Sequence, residues 1–290
     1  MIADALRSRS RAIAIHTAAL LVFIWVAFPL LWLLKSSVTP ESEMLNVPPT
    51  LIPGHLNLKF YEGLFHNVAG IDPGTGIQLQ VPRSLVNSLI IATCVAIINL
   101  LVATPAAYAL ARYPFRLRGV ILNGLLASRM VPSLVLMVPF YLLFRSVGLI
   151  DSLQAVIVAH VAISVPFSVW IMRGHFASVP VEIEKAARVD GCSRLVAFWR
   201  VALPLAVPGL VVMVLFAFML SWNEFLLALV LTESPDNLPV QPTLAGLSGY
   251  QGVSYGFLFA GAVLSAIPPA LIALALQRRL THGLLEGGVK

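Results

Sequence analysis

Residues 178–191 read Ser178-Val-Pro-Val-Glu-Ile-Glu-Lys-Ala-Ala-Arg-Val-Asp-Gly191, and the chain continues Cys192-Ser-Arg-Leu-Val-Ala-Phe-Trp-Arg-Val-Ala-Leu-Pro204. Ser178 suits a helix N-cap and Pro180 a first turn, and Glu182 and Glu184 complement the positive end of a helix dipole. Glu184 stands four residues before Arg188, a favourable helical pair. Gly191 supplies the left-handed conformation that stops a helix. The spacing predicts a short cytoplasmic helix with Ile183, Ala186, Ala187 and Asp190 on one face, where the two alanines let a groove or another backbone come close. A second helical stretch from Ser193 offers Leu195, Phe198 and Trp199 as apolar anchors and ends where Leu203-Pro204 enters an apolar run. Two readings fit this pattern, a docking element and an amphipathic helix lying on a bilayer.

On either side the chain is apolar. Of its 290 residues 59% are hydrophobic and 11% charged, with a mean hydropathy of +0.90. That excludes an ordinary water-soluble enzyme, a disulfide scaffold and a disordered tail. Crossing a hydrocarbon layer of about 30 Å takes about 20 apolar residues at about 1.5 Å each. Six segments qualify, approximately 12–34, 85–111, 120–144, 153–172, 205–231 and 257–277. The first follows Arg7, Arg9 and Arg11 as a signal peptide would, but it is too long and no small-residue cleavage site follows, so it reads as an uncleaved span. Pro29, Pro105, Pro132, Pro139, Pro166, Pro208, Pro268 and Pro269 predict kinks inside the spans. The expected class is all-α, a single polytopic membrane domain over residues 1–290 with six transmembrane helices.

The net charge of +6 raises the question of nucleic acid. The basic residues, however, sit at the ends of spans on one side, and no nucleic-acid partner is expected. With the N-terminus in the cytoplasm, fourteen Lys and Arg residues lie inside and only Lys35, Lys59, Arg83 and Arg145 outside, so both termini are expected inside. The outer loop 36–83 is rich in Pro, Gly and Asn, with a short interfacial helix expected at 59–65. The outer loop 233–256 carries no Lys or Arg and many turn formers, and should be an ordered but irregular excursion. No internal repeat is visible, which weighs against a secondary transporter of inverted halves.

The loop 178–204 resembles the coupling loop of ATP-binding-cassette (ABC) importer permeases, whose signature is Glu-Ala-Ala, three residues, Gly, nine residues, then Ile-x-Leu-Pro. Here Lys185-Ala186-Ala187 is followed by three residues and Gly191, then nine residues and Val201-Ala202-Leu203-Pro204. Val201 stands for Ile, and Lys185 for the motif's Glu, with Glu184 one place earlier. The resemblance extends over nearly the whole chain to the carbohydrate branch, in particular the smaller, six-span subunit of maltose-type systems. It is carried by Asn87-Ser88, by 106–112 (Ala106-Ala-Tyr-Ala-Leu-Ala-Arg112), by 221–225 (Ser221-Trp-Asn-Glu-Phe225) and by Gly287-Gly288-Val289-Lys290. It implies a type I ABC importer transmembrane architecture in a bacterial or archaeal cytoplasmic membrane, and a heterodimer with a second homologous permease. It further implies an ATPase dimer, which binds ATP and Mg, docked on the coupling loops, an extracytoplasmic solute-binding protein, and a sugar or polyol as substrate. The coupling residues are then Glu184, Lys185, Ala186, Ala187, Gly191, Phe198, Trp199, Leu203 and Pro204.

The residues themselves offer no nucleotide chemistry. No phosphate loop ending in Gly-Lys-Ser/Thr occurs; the glycine-rich stretch 70–76 lacks the lysine and is expected to face outward. No catalytic pair of carboxylates or nucleophile and base is found, no cofactor is expected in this chain, and neither the six histidines nor Cys94 and Cys192 show metal-ligand spacing. His160 is expected to lie alone in the fourth span. Charges inside hydrocarbon cost at least about 2.5 kcal/mol each and turn inward, which singles out Arg129 and Glu224. Arg129 either lines a pathway or bridges to backbone carbonyls. Trp222, Asn223 and Glu224 offer a ring, an amide and a carboxylate, the groups that hold a sugar's CH face and hydroxyls; the other reading is an interfacial tryptophan beside a water-facing acid. A transporter energised by an ion gradient, or a channel, is the rival class, and would use an intramembrane carboxylate as a proton carrier.

Overall fold

A computed structural model describes residues 2–44, 46–48, 50–65, 80–248 and 255–287, with side chains for all of these except 2–10, 248 and 278–287. Every regular element among them is helical. In chain order they are α1 (Ile2–Ser37), α2 (Glu41–Met44), α3 (Lys59–Phe65), α4 (Val81–Arg112), α5 (Arg118–Ser128), α6 (Ser133–Ser146), α7 (Leu153–Ser178), α8 (Val181–Val189) and α9 (Arg194–Ala197). A π-helical turn at Phe198–Ala202 leads into α10 (Leu203–Leu205), followed by α11 (Val207–Trp222), α12 (Leu226–Leu231), α13 (Val240–Ser248) and α14 (Tyr255–Gly287). The chain divides into two compact units, one of residues 1–78 and 247–264 and one of 79–246 and 265–290.

In the smaller unit α1 turns an apolar surface outward from Ile13 to Leu34, Trp25 being 83% exposed, as a helix does whose solvent is lipid or a partner. A helix forms over 59–65, as expected there, as α3. Its Gly63 lets Phe257 lie against the backbone, and Phe60 meets Phe257 edge-on at 5.4 Å. Tyr61 donates to Ser37 at 2.8 Å, tying α3 to the end of α1.

The larger unit is built on α4, α7 and α11, which pack on one another. Apolar burial cannot hold helices together against lipid, so close approach must, and the sequence supplies small residues four apart where the helices meet. Ala92 and Ala96, then Ala103 and Ala107, are buried along α4, facing a stripe on α7 that includes Ala155, Ala159, Ser164 and Ser168. Midway, the Asn99 amide donates to Val95 O and to Ser164 Oγ, each at 2.8 Å. Gly209 brings α11 onto α7 so closely that a Cβ there would fall on the His175 ring. One apolar cluster gathers Tyr108, Met172, Phe176, Phe198 and Met213; another gathers Ile91, Val95, Phe144, Val156, Leu227 and Leu231.

Four helices are each long and apolar enough to cross a membrane, and two bent pairs bring the number to six if each pair counts as one span. The third span, expected as one kinked helix over 120–144, is instead α5 and α6 meeting at 98°. Pro132 has no N–H and forces the residue before it out of helical geometry, so the ladder breaks at 129–132. The fifth, expected as one helix over 205–231, bends by 76° at Ala206 and stops again at 223–225 before α12. The excursion 233–256 is less irregular than expected, since it contains α13. Residues 249–254 of it, and 66–79 of the first outer loop with its glycine-rich stretch, lie outside the described residues, as do 288–290 of the C-terminal tail.

The start of the 233–256 excursion is pinned to its neighbours. Asp151, at φ 59°, accepts at one carboxylate oxygen from the N–H groups of Glu233 and Ser234, each at 2.9 Å, while Asn237 donates to its carbonyl at 2.6 Å. Burial alone would raise the Asp151 pKa; the bonds from Ser234, Glu233 and Asn237 outweigh it and hold the carboxyl below its ordinary range. Asn87 donates to the carbonyls of Asp236 and Leu238, and Ser88 accepts from the N–H of Val240 at 2.8 Å.

Candidate coupling site and intramembrane polar groups

The helix expected after Ser178 forms as α8, but its first turn is built differently. Ser178 belongs to α7, where its hydroxyl donates to His175 O at 2.8 Å; Pro180 precedes α8, and no side chain caps it. Cys192 N–H closes onto Ala187 O at 3.0 Å while Gly191 turns left-handed at φ +92°, so the helix stops where its glycine stands. The next helical stretch begins after Ser193 as expected, and Ser193 caps it, accepting from Val196 N–H at 3.3 Å.

Glu184 does not pair with Arg188. Its carboxylate reaches back to the end of α4, where Arg112 Nε donates to Oε1 at 2.6 Å and the Tyr108 hydroxyl donates to Oε2 at 2.8 Å. Arg112 also donates to Val179 O at 2.9 Å. The two charged side chains are 6% and 8% exposed, so they face each other out of water. A guanidinium and a phenol converging on one carboxylate satisfy charges that would be costly to bury singly, whereas an Arg188 partner would have left Arg112 alone. Phe198 turns inward under this pair, with its ring 4.7 Å from Tyr108, whose other side meets Phe176 at 5.4 Å.

The opposite face of α8 is open. Ile183, Ala186 and Asp190 are exposed and Ala187 half-buried; Lys185, also exposed, stands on the Glu184 side. Beyond the turn Gly191, Leu195, Trp199 and Pro204 are exposed, while Leu203 is half-buried. Of the three expected anchors, then, Phe198 fastens the loop to its own chain and Leu195 and Trp199 remain available. The loop re-enters the unit through the π-helical turn, which closes from Leu203 N–H to Phe198 O just before Pro204, a residue that has no N–H to continue the regular ladder.

Arg129 sits at the break between α5 and α6. It donates to Ile163 O at 3.0 Å and its guanidinium lies over the Phe167 ring at 5.4 Å, the bridge to a backbone carbonyl. It also borders a cleft of about 350 Å³ with Ser128, Ser133, Phe140 and Pro166. Trp222 is buried, its ring stacked on Phe218 at 5.6 Å, so within this chain it offers no free platform to a sugar. Asn223 is exposed and bonds its own helix at Met219 O.

Glu224 is neither water-facing nor alone, and neither is His160. Glu224 accepts from His160 Nε2 at 3.1 Å and from the N–H groups of Leu227 and Ala228, capping α12; His160 Nδ1 lies 2.8 Å from Ser221 Oγ. A carboxylate only accepts, so Nε2 carries a proton and Nδ1 meets the serine hydroxyl. The carboxylate and imidazole are 8% and 1% exposed. Sequence reasoning missed this pair, as it missed Tyr108 and Arg112 beneath Glu184. For His160 and Glu224 the available signal was the rule that an ionisable group in hydrocarbon must find a partner, which names no partner. Among the described residues, no group of three or more His, Cys, Asp or Glu side chains is placed to hold a metal ion.

Residues 99–285 match the family described as "Binding-protein-dependent transport system inner membrane component". The chain is 31% identical over 278 residues to the sulfoquinovosyl glycerol transport system permease protein SmoH of Agrobacterium fabrum, covering 94% of this chain and 92% of that one. It is 29% identical to the diacetylchitobiose uptake system permease protein DasC of Streptomyces coelicolor, covering 95% and 96%. Its fold is similar to a chain of a bacterial ABC transporter involved in the import of the acidic polysaccharide alginate, with a TM-score of 0.74 at 22% identity, over 92% of this chain and 96% of that one.

Proposed function

Because this chain belongs to the binding-protein-dependent transport system inner membrane components, multi-pass permeases of ABC transporters, we propose that it forms half of the translocation pathway of an ATP-driven sugar or polyol importer. Its other half is a second homologous permease, and an extracytoplasmic solute-binding protein delivers the substrate. An ATPase dimer, which holds ATP and Mg, docks on 178–204, and this chain performs no catalysis itself. The relatives from uptake systems for diacetylchitobiose and sulfoquinovosyl glycerol support a carbohydrate cargo.

The observation that carries the reading is the two-faced α8. Its outer face, Ile183, Ala186, Ala187 and Asp190, is free for a groove, and its inner face is tied through Glu184 to the last turn of α4. A push on the outer face is thereby delivered to a membrane-spanning helix, which is what alternating access requires of a coupling element. The coupling face, and Arg129 at the cleft between the broken halves of the third span, are the working parts on this view; the His160–Glu224 pair holds α12 in place and exchanges no proton.

Both termini and 178–204 face the cytoplasm. An impermeant thiol reagent should therefore spare Cys192 in intact cells and label it in inverted vesicles, whereas labelling from outside would reverse the orientation. Function is tested in vesicles holding the assembled complex. Uptake should require ATP and the binding protein, and should survive collapse of the proton gradient. Uptake by this chain alone, driven by an imposed pH gradient and lost in Glu224→Gln, would overturn the proposal.

A further inference from the structure

On the inner side of α8, opposite its open face, lies a cleft of about 280 Å³ bounded by the end of α4, Tyr113 and Pro114 after it, and α9. Its walls include Arg112, Tyr113, Lys185, Arg188 and Arg194, with Glu184 as the one acid. Glu184 is already committed to Arg112 at 2.6 Å. Lys185, Arg188 and Arg194 have no carboxylate within 4.0 Å among the described residues, and all three are exposed. Arg194 is steadied by Tyr113, its guanidinium 5.4 Å over the ring. Three like charges converging on one recess repel one another, and such an arrangement is relieved by an anion with several acceptor oxygens.

We propose that this cleft binds the phosphate of an anionic phospholipid from the cytoplasmic leaflet. The floor of the cleft is the last turn of a spanning helix, the depth at which headgroups lie when 178–204 faces the cytoplasm, and the inference rests on that orientation. Val181 lines the cleft, and Phe115 and Leu117, which follow Pro114 of its wall in the chain, are 42% and 59% exposed, an apolar surface for the glycerol and upper acyl carbons. A soluble phosphate has no use for that surface. Lys185 sharpens the site: the residue type that the coupling motif has at this position would place an acid beside the recess, and this chain places a cation there. Basic pockets at the cytoplasmic ends of spanning helices are the general form of such lipid sites.

The test uses the assembled transporter in bilayer discs of mixed phosphatidylglycerol and phosphatidylcholine, with the lipid retained after detergent extraction counted by native mass spectrometry. Phosphatidylglycerol should be retained over phosphatidylcholine, and millimolar inorganic phosphate should not displace it. Arg188→Gln or Arg194→Gln should weaken retention by roughly fivefold, and Lys185→Glu with Arg188→Glu by well over tenfold. Arg200→Glu, an exposed basic residue of the same loop outside the cleft, should change it little. Equal retention of the two lipids, or an equal loss in Arg200→Glu, overturns the site. Displacement by inorganic phosphate overturns the lipid as its source. A transporter that still imports with ATP while failing these tests refutes the lipid site and leaves the proposed function standing; Cys192 labelled from outside refutes the orientation on which both rest.

Discussion

Truncating Glu184 to alanine will weaken the docking of α8 on α4 by about 3–5 kcal/mol and abolish solute-stimulated ATP hydrolysis by the assembled transporter, while the chain still inserts. The magnitude follows from what is left behind. Arg112 keeps its bond to Val179 O at 2.9 Å but loses the carboxylate it meets, and the Tyr108 hydroxyl loses its acceptor. Both charged side chains are less than one-tenth exposed, so water cannot replace what is removed. Glu184→Gln should fall between, keeping an acceptor for Tyr108 and none of the charge. Glu184→Leu combined with Arg112→Met should recover much of the docking, since a buried pair replaced on both sides by apolar groups leaves no orphan charge. Hydrogen exchange over 181–189 reads the docking and ATP hydrolysis reads the coupling. Wild-type values for both in Glu184→Ala would mean that the bridge transmits nothing.

The second large effect is expected at the turn behind this helix. Gly191 stands at φ +92° with nothing within 4 Å of where a Cβ would lie. A clash is therefore absent, and the whole penalty of Gly191→Val is conformational, about 1–3 kcal/mol for a β-branched residue held in left-handed geometry. That equals roughly a 5–150-fold shift away from the docked geometry. Solute-stimulated hydrolysis should fall accordingly with insertion unchanged. Gly191→Asn should lose less, because asparagine tolerates this region better. Were valine and asparagine to behave alike, the left-handed turn would not be what aims the coupling helix.

The second effect arises where the chain was most legible; the first rests on Tyr108 and Arg112, which the spacing did not name. The open face of α8, its stop at Gly191 and the start of the next helical stretch at Ser193 are local matters, decided by residues within one turn of each other, and spacing along the chain reports them. The helix at 59–65 was legible for the same reason. Ser178 was misread because a serine before a proline satisfies the local rule for a cap equally well when its hydroxyl instead closes the preceding helix at His175. The third and fifth spans were misread in a related way. Prolines announce disturbed ladders, but whether the result is a kink or a 98° break depends on which neighbours take up the freed backbone groups.

What the sequence by itself determined is the solvent, the number of apolar runs, the family and the short helix of 181–189 with its open face, because composition, periodicity and fixed motif spacing are properties of neighbouring residues. Only the tertiary structure decided the partners. Arg112 and Glu184 are 72 residues apart, and His160 and Glu224 are 64 apart. Each buried charge had several candidates of opposite sign or suitable hydrogen-bonding type, and burial demanded only that one of them be reached. The choice fell to the packing of α4, α7 and α11, whose small residues set the distance at which a carboxylate on one element meets a cation on another.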